Sequence, residues 1–369
     1  MPTINTGLAQ VSNDFLLVAI VAYSLAVLAF AGDFAFGRSK TRAAGAAAEA
    51  RVPAMAGAAI AGEAAVAGPS GAGADGLPAA GAAASDGPAP VRPAFLSFQK
   101  EIVGVTGGGQ PAATSPGRWV RAALVATFFG LAAHLVGVIS RGLAVHRLPW
   151  GDMYEFVVAL TCVAVVFFLG LMIRYRAYYL GLFVVGAVVI ALGLAQTVIY
   201  TVAGPLVPAL QSYWLSIHVT AITLAVGTYF VAAVLGIVYL FTDRHARRAA
   251  AGRVRAADGI MGRLPAPEVL DRLAYRTVMF AFPLWTFGII AGAIWADQAW
   301  GRYWGWDPTE TWAFITWVVY ACFLHARSTA GWRGWKATVV QLVGFCCLVF
   351  NMVGVSLFIT GLHSYAGLN

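Results

Sequence analysis

Residues 153–173 read MYEFVVALTCVAVVFFLGLMI, a run with one carboxylate and no basic residue. An α-helix needs about 20 such apolar residues to cross the hydrocarbon core of a bilayer. Comparable runs recur at roughly 14–36, 119–139, 178–200, 214–241, 276–296, 311–326 and 338–360, of which 178–200 and 311–326 are the weakest. The run at 14–36 has no basic segment ahead of it and is followed by Arg38, Lys40 and Arg42, so it reads as a retained span rather than a cleaved signal peptide. The fold class predicted is all-α: a polytopic transmembrane helix bundle of about eight spans. Composition agrees. Of 369 residues, 60% are hydrophobic and 11% charged, with a mean hydropathy of +0.76, against about 25% charged residues in an average soluble domain. A soluble enzyme, a disordered scaffold and a disulfide-stapled secreted domain are all excluded.

The net charge of +8 invites a nucleic-acid reading, but the positions of the basic residues point elsewhere. The alternate connections 37–118, 174–177, 242–276 and 326–337 hold seven, two, eight and three Lys/Arg, and Arg121 lies at the near edge of the second span. Arg141, Arg147 and Arg302 are all that remain for the other side. Lys and Arg gather in cytoplasmic loops, so both termini are expected outside the cytoplasm, in a multi-pass protein of the cytoplasmic membrane with no nucleic-acid partner. Three parts follow: an N-terminal transmembrane segment (1–36), a linker (37–118) and a transmembrane core (119–369). Within the linker, residues 43–90 are almost entirely Ala, Gly and Pro. Nothing bulky is present to form a core, and a disordered cytoplasmic segment is the expectation.

Chemistry concentrates in the stretch 295–312, WADQAWGRYWGWDPTETW, read as an extracytoplasmic loop. Six of the twelve tryptophans fall between 295 and 317: Trp295, Trp300, Trp304, Trp306, Trp312 and Trp317. Tryptophan gathers at headgroup level in any membrane protein, yet such a belt is spread over all the loops on a face. Density confined to one loop suits a platform for a flat, mostly apolar ligand. Asp307 and Glu310 read as residues that orient the loop or meet a helix N-terminus. Two of the six histidines fall on the same side by the charge topology: His218, in QSYWLSIHVT, and His363, in GLHSYAG. Two imidazoles across an aromatic shelf have the chemistry of axial haem-iron ligands; the alternative is a pair of unrelated interfacial histidines. His325, in YACFLHAR, lies near the cytoplasmic face about 20 Å from Trp312 by helix rise, with Arg327 close by to meet a propionate. It is a functional candidate or a snorkelling helix-end residue. His245 sits in a solvated basic run, and the roles of His134 and His146 stay open. The cysteines Cys162, Cys322, Cys346 and Cys347 show no CxxC spacing, which excludes a thioredoxin-like dithiol chemistry in this chain and a haem attached through CxxCH.

The stretch WGRYWGWDPTETW resembles the tryptophan-rich WWD signature of haem-handling membrane proteins. Together with RLPWGDMYEF, the histidines at 218 and 363, and YACFLHAR, it resembles the CcsA/ResC branch (CcsB in some bacteria) of the system II cytochrome c synthase, over roughly residues 119–369. Thr309 stands where that branch usually has Lys. The resemblance implies that His218 and His363 ligate an external haem iron and that Trp300, Trp304, Trp306, Asp307 and Trp312 belong to its cradle. It implies His325 as a ligand of a transmembrane haem, with the second ligand from a ResB/CcsB-type partner subunit. The implied activity is part of a holocytochrome c synthase: haem b is carried outward and joined through its vinyl groups to the CxxCH thiols of apocytochrome c. A thioredoxin-like reductant would keep those thiols reduced. No residue is marked as an acid–base catalyst. A haem exporter without attachment activity, a system I haem-delivery protein and a structural subunit of a respiratory complex are the alternatives.

Overall fold

In lipid every backbone N–H and C=O must find its partner within the protein, so apolar runs of this length fold as helices. The computed structural model describes residues 4–36, 116–205, 210–255 and 260–363, and among these there is no strand. The long helices are α1 (Thr6–Phe36), α2 (Arg118–Val145), α3 (Met153–Tyr175), α4 (Gly181–Val198), α5 (Tyr213–Ala250), α6 (Pro267–Trp300), α7 (Pro308–Ser328) and α8 (Trp335–Val349). A π-turn over Phe350–Gly354 carries α8 into the one-turn α9 (Val355–Phe358). Each expected span has its helix. Seven are long and apolar enough to cross a membrane; α7, with 21 residues, is the more polar eighth. Nearly all of the expected linker 37–118 lies outside the described residues, and Arg118 already opens α2.

Local signals place the helix ends. Asp152 caps α3 by accepting the Glu155 N–H, and Ser212 caps α5 by accepting the Trp214 N–H. His146 ends α2 in the left-handed conformation at φ 53° and is exposed, so the structure uses it as a helix terminator. His134 has a structural place too. It is fully buried, its Nε2 is 3.0 Å from the Val158 carbonyl of α3, and Tyr23 of α1 lies against Nδ1. The ring therefore ties three helices together.

Chain direction alternates, which brings odd helix starts and even helix ends to one end of the bundle. There the Asn5 N–H meets the Ala144 carbonyl, and Arg141 and Arg147 reach the carbonyls of Thr201 and Gly204. Both arginines converge on Glu155, at 2.9 and 2.6 Å, with a side chain that is 0% exposed. Buried charge of this kind persists only where it is paired and hydrogen-bonded. Asp152, beside them, is pushed up to about 6 by burial and then by the Glu155 charge. At the opposite end Arg263 binds the Phe34 carbonyl of α1.

Two cores fill the bundle. One joins α1–α5 and the start of α6 around Tyr23, Phe30, Phe168 and Leu180. The other joins α3 and α5–α8 around Tyr229, Trp285, Tyr320 and Phe323. Lipid provides no hydrophobic drive between helices, so close approach at small residues carries the packing. At Gly227 of α5 an added Cβ would lie 2.7 Å from the Leu160 carbonyl of α3 and 2.8 Å from Val163. Backbone cannot step aside as a side chain can. Gly227→Ala is therefore expected to cost about 1–3 kcal/mol, seen as a lower unfolding temperature in detergent; an unchanged midpoint would contradict this account of the α3–α5 contact.

Candidate functional site

Gly301 ends α6 at φ 70°, its N–H returning 2.8 Å to the Asp297 carbonyl. Asp307 and Pro308 start α7 six residues later, Pro308 at a position where its missing N–H costs nothing. The stretch expected as one loop over 295–312 is therefore mostly helix: Trp295–Trp300 close α6, Pro308–Trp312 open α7, and only 301–307 is loop. The reason is local. A glycine stop and an Asp-Pro-x-Glu start override the break that the density of Trp and Gly suggested.

Asp307 and Glu310 form a capping box. Glu310 accepts the N–H groups of Gly305 and Asp307 at 2.8 and 3.2 Å, so it orients the loop as expected. Asp307 has a second task. Its Oδ1 accepts the Thr309 N–H at 3.1 Å and lies 2.8 Å from His363 Nδ1, while Oδ2 accepts the Leu362 N–H at 2.7 Å. A Cβ at Gly361 would stand 2.6 Å from Oδ2, so the turn can close on the carboxylate only with glycine there. Burial alone would raise the Asp307 pKa. The hydrogen bonds from His363, Leu362 and Thr309, with the His363 charge, outweigh it and hold the carboxyl below the usual range. Asp307 is ionised at neutral pH, so the His363 Nδ1–H must be the donor.

His218, in the second turn of α5, is half-buried with its Nδ1 2.7 Å from the Gly288 carbonyl of α6. A carbonyl only accepts, so here too Nδ1 carries the proton and the ring's lone pair is on Nε2. Gly292 makes the room: a Cβ there would be 2.6 Å from the His218 ring. Trp295 touches both histidines. It lies parallel to His218, 6.3 Å between centroids and 10° between planes, and meets His363 edge-on at 6.0 Å. Trp300 packs on both Trp295 and His363, at 4.8 and 5.1 Å.

Both histidines line one cleft with Trp295, Trp300, Tyr303 and Trp304. Its cavity is narrow, about 100 Å³, below the roughly 300–1,000 Å³ of sites that hold small organic ligands. The loop 301–307 contributes Tyr303 and Trp304 to its wall. The remaining aromatics divide. Trp304 and Trp306 meet edge-on at 5.7 Å, and Trp306 takes φ 58° with 66% of its surface exposed. Trp312 packs on Phe350 at 4.4 Å rather than on the cleft. Thr309 lines the cleft.

His325 lies in the last turn of α7 and is exposed, far from the cleft. Arg327, which the sequence offers as a group to meet a propionate, has partners within the protein. It pairs with Asp271 of α6 at 2.7 Å and lies over the Tyr275 ring, partners that sequence distance hides. The sequence reading also missed Trp295 as the centre of the site and Gly292 as the space for His218. The only signal for either was the helical register of α6, where residues 288, 292 and 295 share a face.

A model of the cytochrome c assembly protein family matches residues 150–363. The cytochrome c biogenesis protein CcsA of Guillardia theta is 38% identical over 249 residues, 62% of this chain and 80% of the relative. That of Chlamydomonas reinhardtii is 43% identical over 167 residues, 45% of this chain and 44% of the relative. Among solved structures, the cytochrome c haem lyase CcmF is similar with a TM-score of 0.44 and 18% identity, covering 74% of this chain and 47% of that one.

Gly292→Ala should push the His218 imidazole off Trp295 and the Gly288 carbonyl. The expected outcome is several-fold faster modification of His218 by diethyl pyrocarbonate, read by mass spectrometry on folded protein. Labelling at the unaltered rate would show that Gly292 does not hold the ring in place.

Proposed function

This chain belongs to the cytochrome c assembly protein family, among its CcsA members, and from that premise we propose that it presents haem to apocytochrome c. The chain is a multi-pass membrane protein of cytochrome c biogenesis; the substrate, route and partners are the reading offered here. One observation carries it: His218 and His363, from distant parts of the chain, both touch Trp295, and each has its Nδ1 committed to the protein. Metal-ligating histidines are held in that way, with the second ring nitrogen left for the metal.

Haem is substrate here, not a resident cofactor. Its iron would be ligated by Nε2 of His218 and Nε2 of His363, and Trp300 and Trp304 would support the ring. The narrow cavity requires the loop 301–307 to open as a lid for the macrocycle. Its hinges are Gly301, at φ 70°, and the fixed Asp307 cap. Each thiol of a CxxCH segment then adds across one vinyl double bond: the C–S bond forms, the thiol proton ends on the other vinyl carbon, and no net oxidation occurs. Positioning supplies the rate, because the reactants meet at high effective concentration. The histidine of CxxCH replaces one protein ligand and releases the product.

The excess of Lys and Arg on alternate loops supports an extracytoplasmic site in the cytoplasmic membrane. His325, at the far end of α7 from the cleft, is the inner stopping point of the same reading. A ligand there lowers the cost of carrying propionates through the membrane. A ResB-type subunit supplies its second ligand, and a thioredoxin-like protein keeps the substrate thiols reduced; this is the system II arrangement.

The test is haem content and cytochrome c maturation in the full chain co-expressed with its ResB-type partner. His218→Gly and His363→Gly should abolish maturation at unchanged protein level, with free imidazole restoring part of it. His325→Ala should lower haem at the outer pair although it touches neither ligand. Normal maturation in either glycine variant would remove the ligand assignment. Full outer occupancy in His325→Ala would remove the relay and leave His325 an ordinary helix-end residue.

A further inference from the structure

The two histidines are held by unlike partners. His218 Nδ1 donates to a neutral carbonyl, Gly288 at 2.7 Å. His363 Nδ1 donates to the Asp307 carboxylate at 2.8 Å, whose side chain is 3% exposed. A charge-assisted bond in a dry site is about twice as strong as a neutral one, and it draws the Nδ1 proton away from the ring. The imidazole then gives more electron density through Nε2 and binds iron more firmly. A peptide carbonyl does this weakly.

The mountings differ as well. His218 stands on α5, wedged against Gly292 and Trp295, and a helix packed in this way cannot follow an iron that shifts outward. His363 stands on the turn Gly361–His363, which is fastened to Asp307 through the Leu362 N–H and its own ring. Asp307 in turn closes the lid loop. Ligand, turn and lid edge are one unit.

We propose that His363 is the retained axial ligand, that His218 is the one exchanged for the substrate's histidine, and that Asp307 is the positioning residue that sets this order. The inference rests on the reading of His218 and His363 as haem ligands. Product release then begins on the α5 side of the cleft, and the peptide approaches the iron face that His218 covers.

Carbon monoxide tests the order, because it replaces the weaker axial ligand of ferrous haem. Haem-loaded full chain with its partner subunit is reduced and exposed to carbon monoxide, and the adduct is photolysed. The iron–histidine stretch of the remaining ligand is then read by resonance Raman spectroscopy. The wild-type band should match that of His218→Gly, in which only His363 is left, and differ from that of His363→Gly. In Asp307→Asn, which keeps a side-chain oxygen for the Thr309 N–H and is a good cap, the band should move to lower frequency at unchanged haem content. A wild-type band matching His363→Gly overturns the proposal, as does an unmoved band in Asp307→Asn. The wild-type comparison stands even if that variant fails to fold. If the ligand reading itself is wrong, the failure is recognised beforehand: wild-type haem would not be six-coordinate and low-spin, or neither glycine variant would change its spectrum.

Discussion

One carboxylate ties the turn that carries His363 to the start of α7. Asp307 caps α7, receives the Leu362 amide and binds the His363 ring, so the last described turn of the chain is fixed to the start of α7. Without it, α7 would lose its cap, at about 1 kcal/mol, and the turn at 361–363 would lose the carboxylate that its Leu362 amide and its His363 Nδ1 both meet.

The opposite wall of the cleft depends on close helix packing. Gly288 offers its carbonyl to His218, and Gly292 one turn later leaves room for the ring. Trp295 follows on the same face with 2% of its surface exposed. An α6 with bulkier residues at these positions would stand farther from α5, and the imidazole would lose both its acceptor and its stacking partner. The membrane-spanning architecture is the means by which two residues far apart in sequence meet at one end of the bundle.

Much of this was legible in the sequence for plain physical reasons. Apolar runs near 20 residues leave helix as the single backbone solution in lipid, and all eight expected spans have their helices. Asp307 and Glu310 carry the spacing of a capping box, and the alternation of spans puts His218 and His363 at one end. What was not legible depends on contacts across the chain. No local pattern tells Trp295, buried against two histidines, from Trp312, which packs on Phe350. The pairing of Arg327 with Asp271 joins helices whose register a single sequence does not give. The role of His134 stays open in the sequence because its partners, Tyr23 and the Val158 carbonyl, come from two other helices. The aromatic density of 295–312 suggests a longer loop than the Gly301 stop and the Pro308 start allow.

The proposed site has a carboxylate-held His363 and a carbonyl-held His218 binding one iron between them, and a structure of the haem-loaded chain with its partner subunit is the test. Iron coordinated by Nε2 of both residues is expected, with the His363–Asp307 and His218–Gly288 hydrogen bonds kept. No haem iron between His218 and His363, or iron ligated by any other side chain of this chain at that end of the bundle, would contradict it.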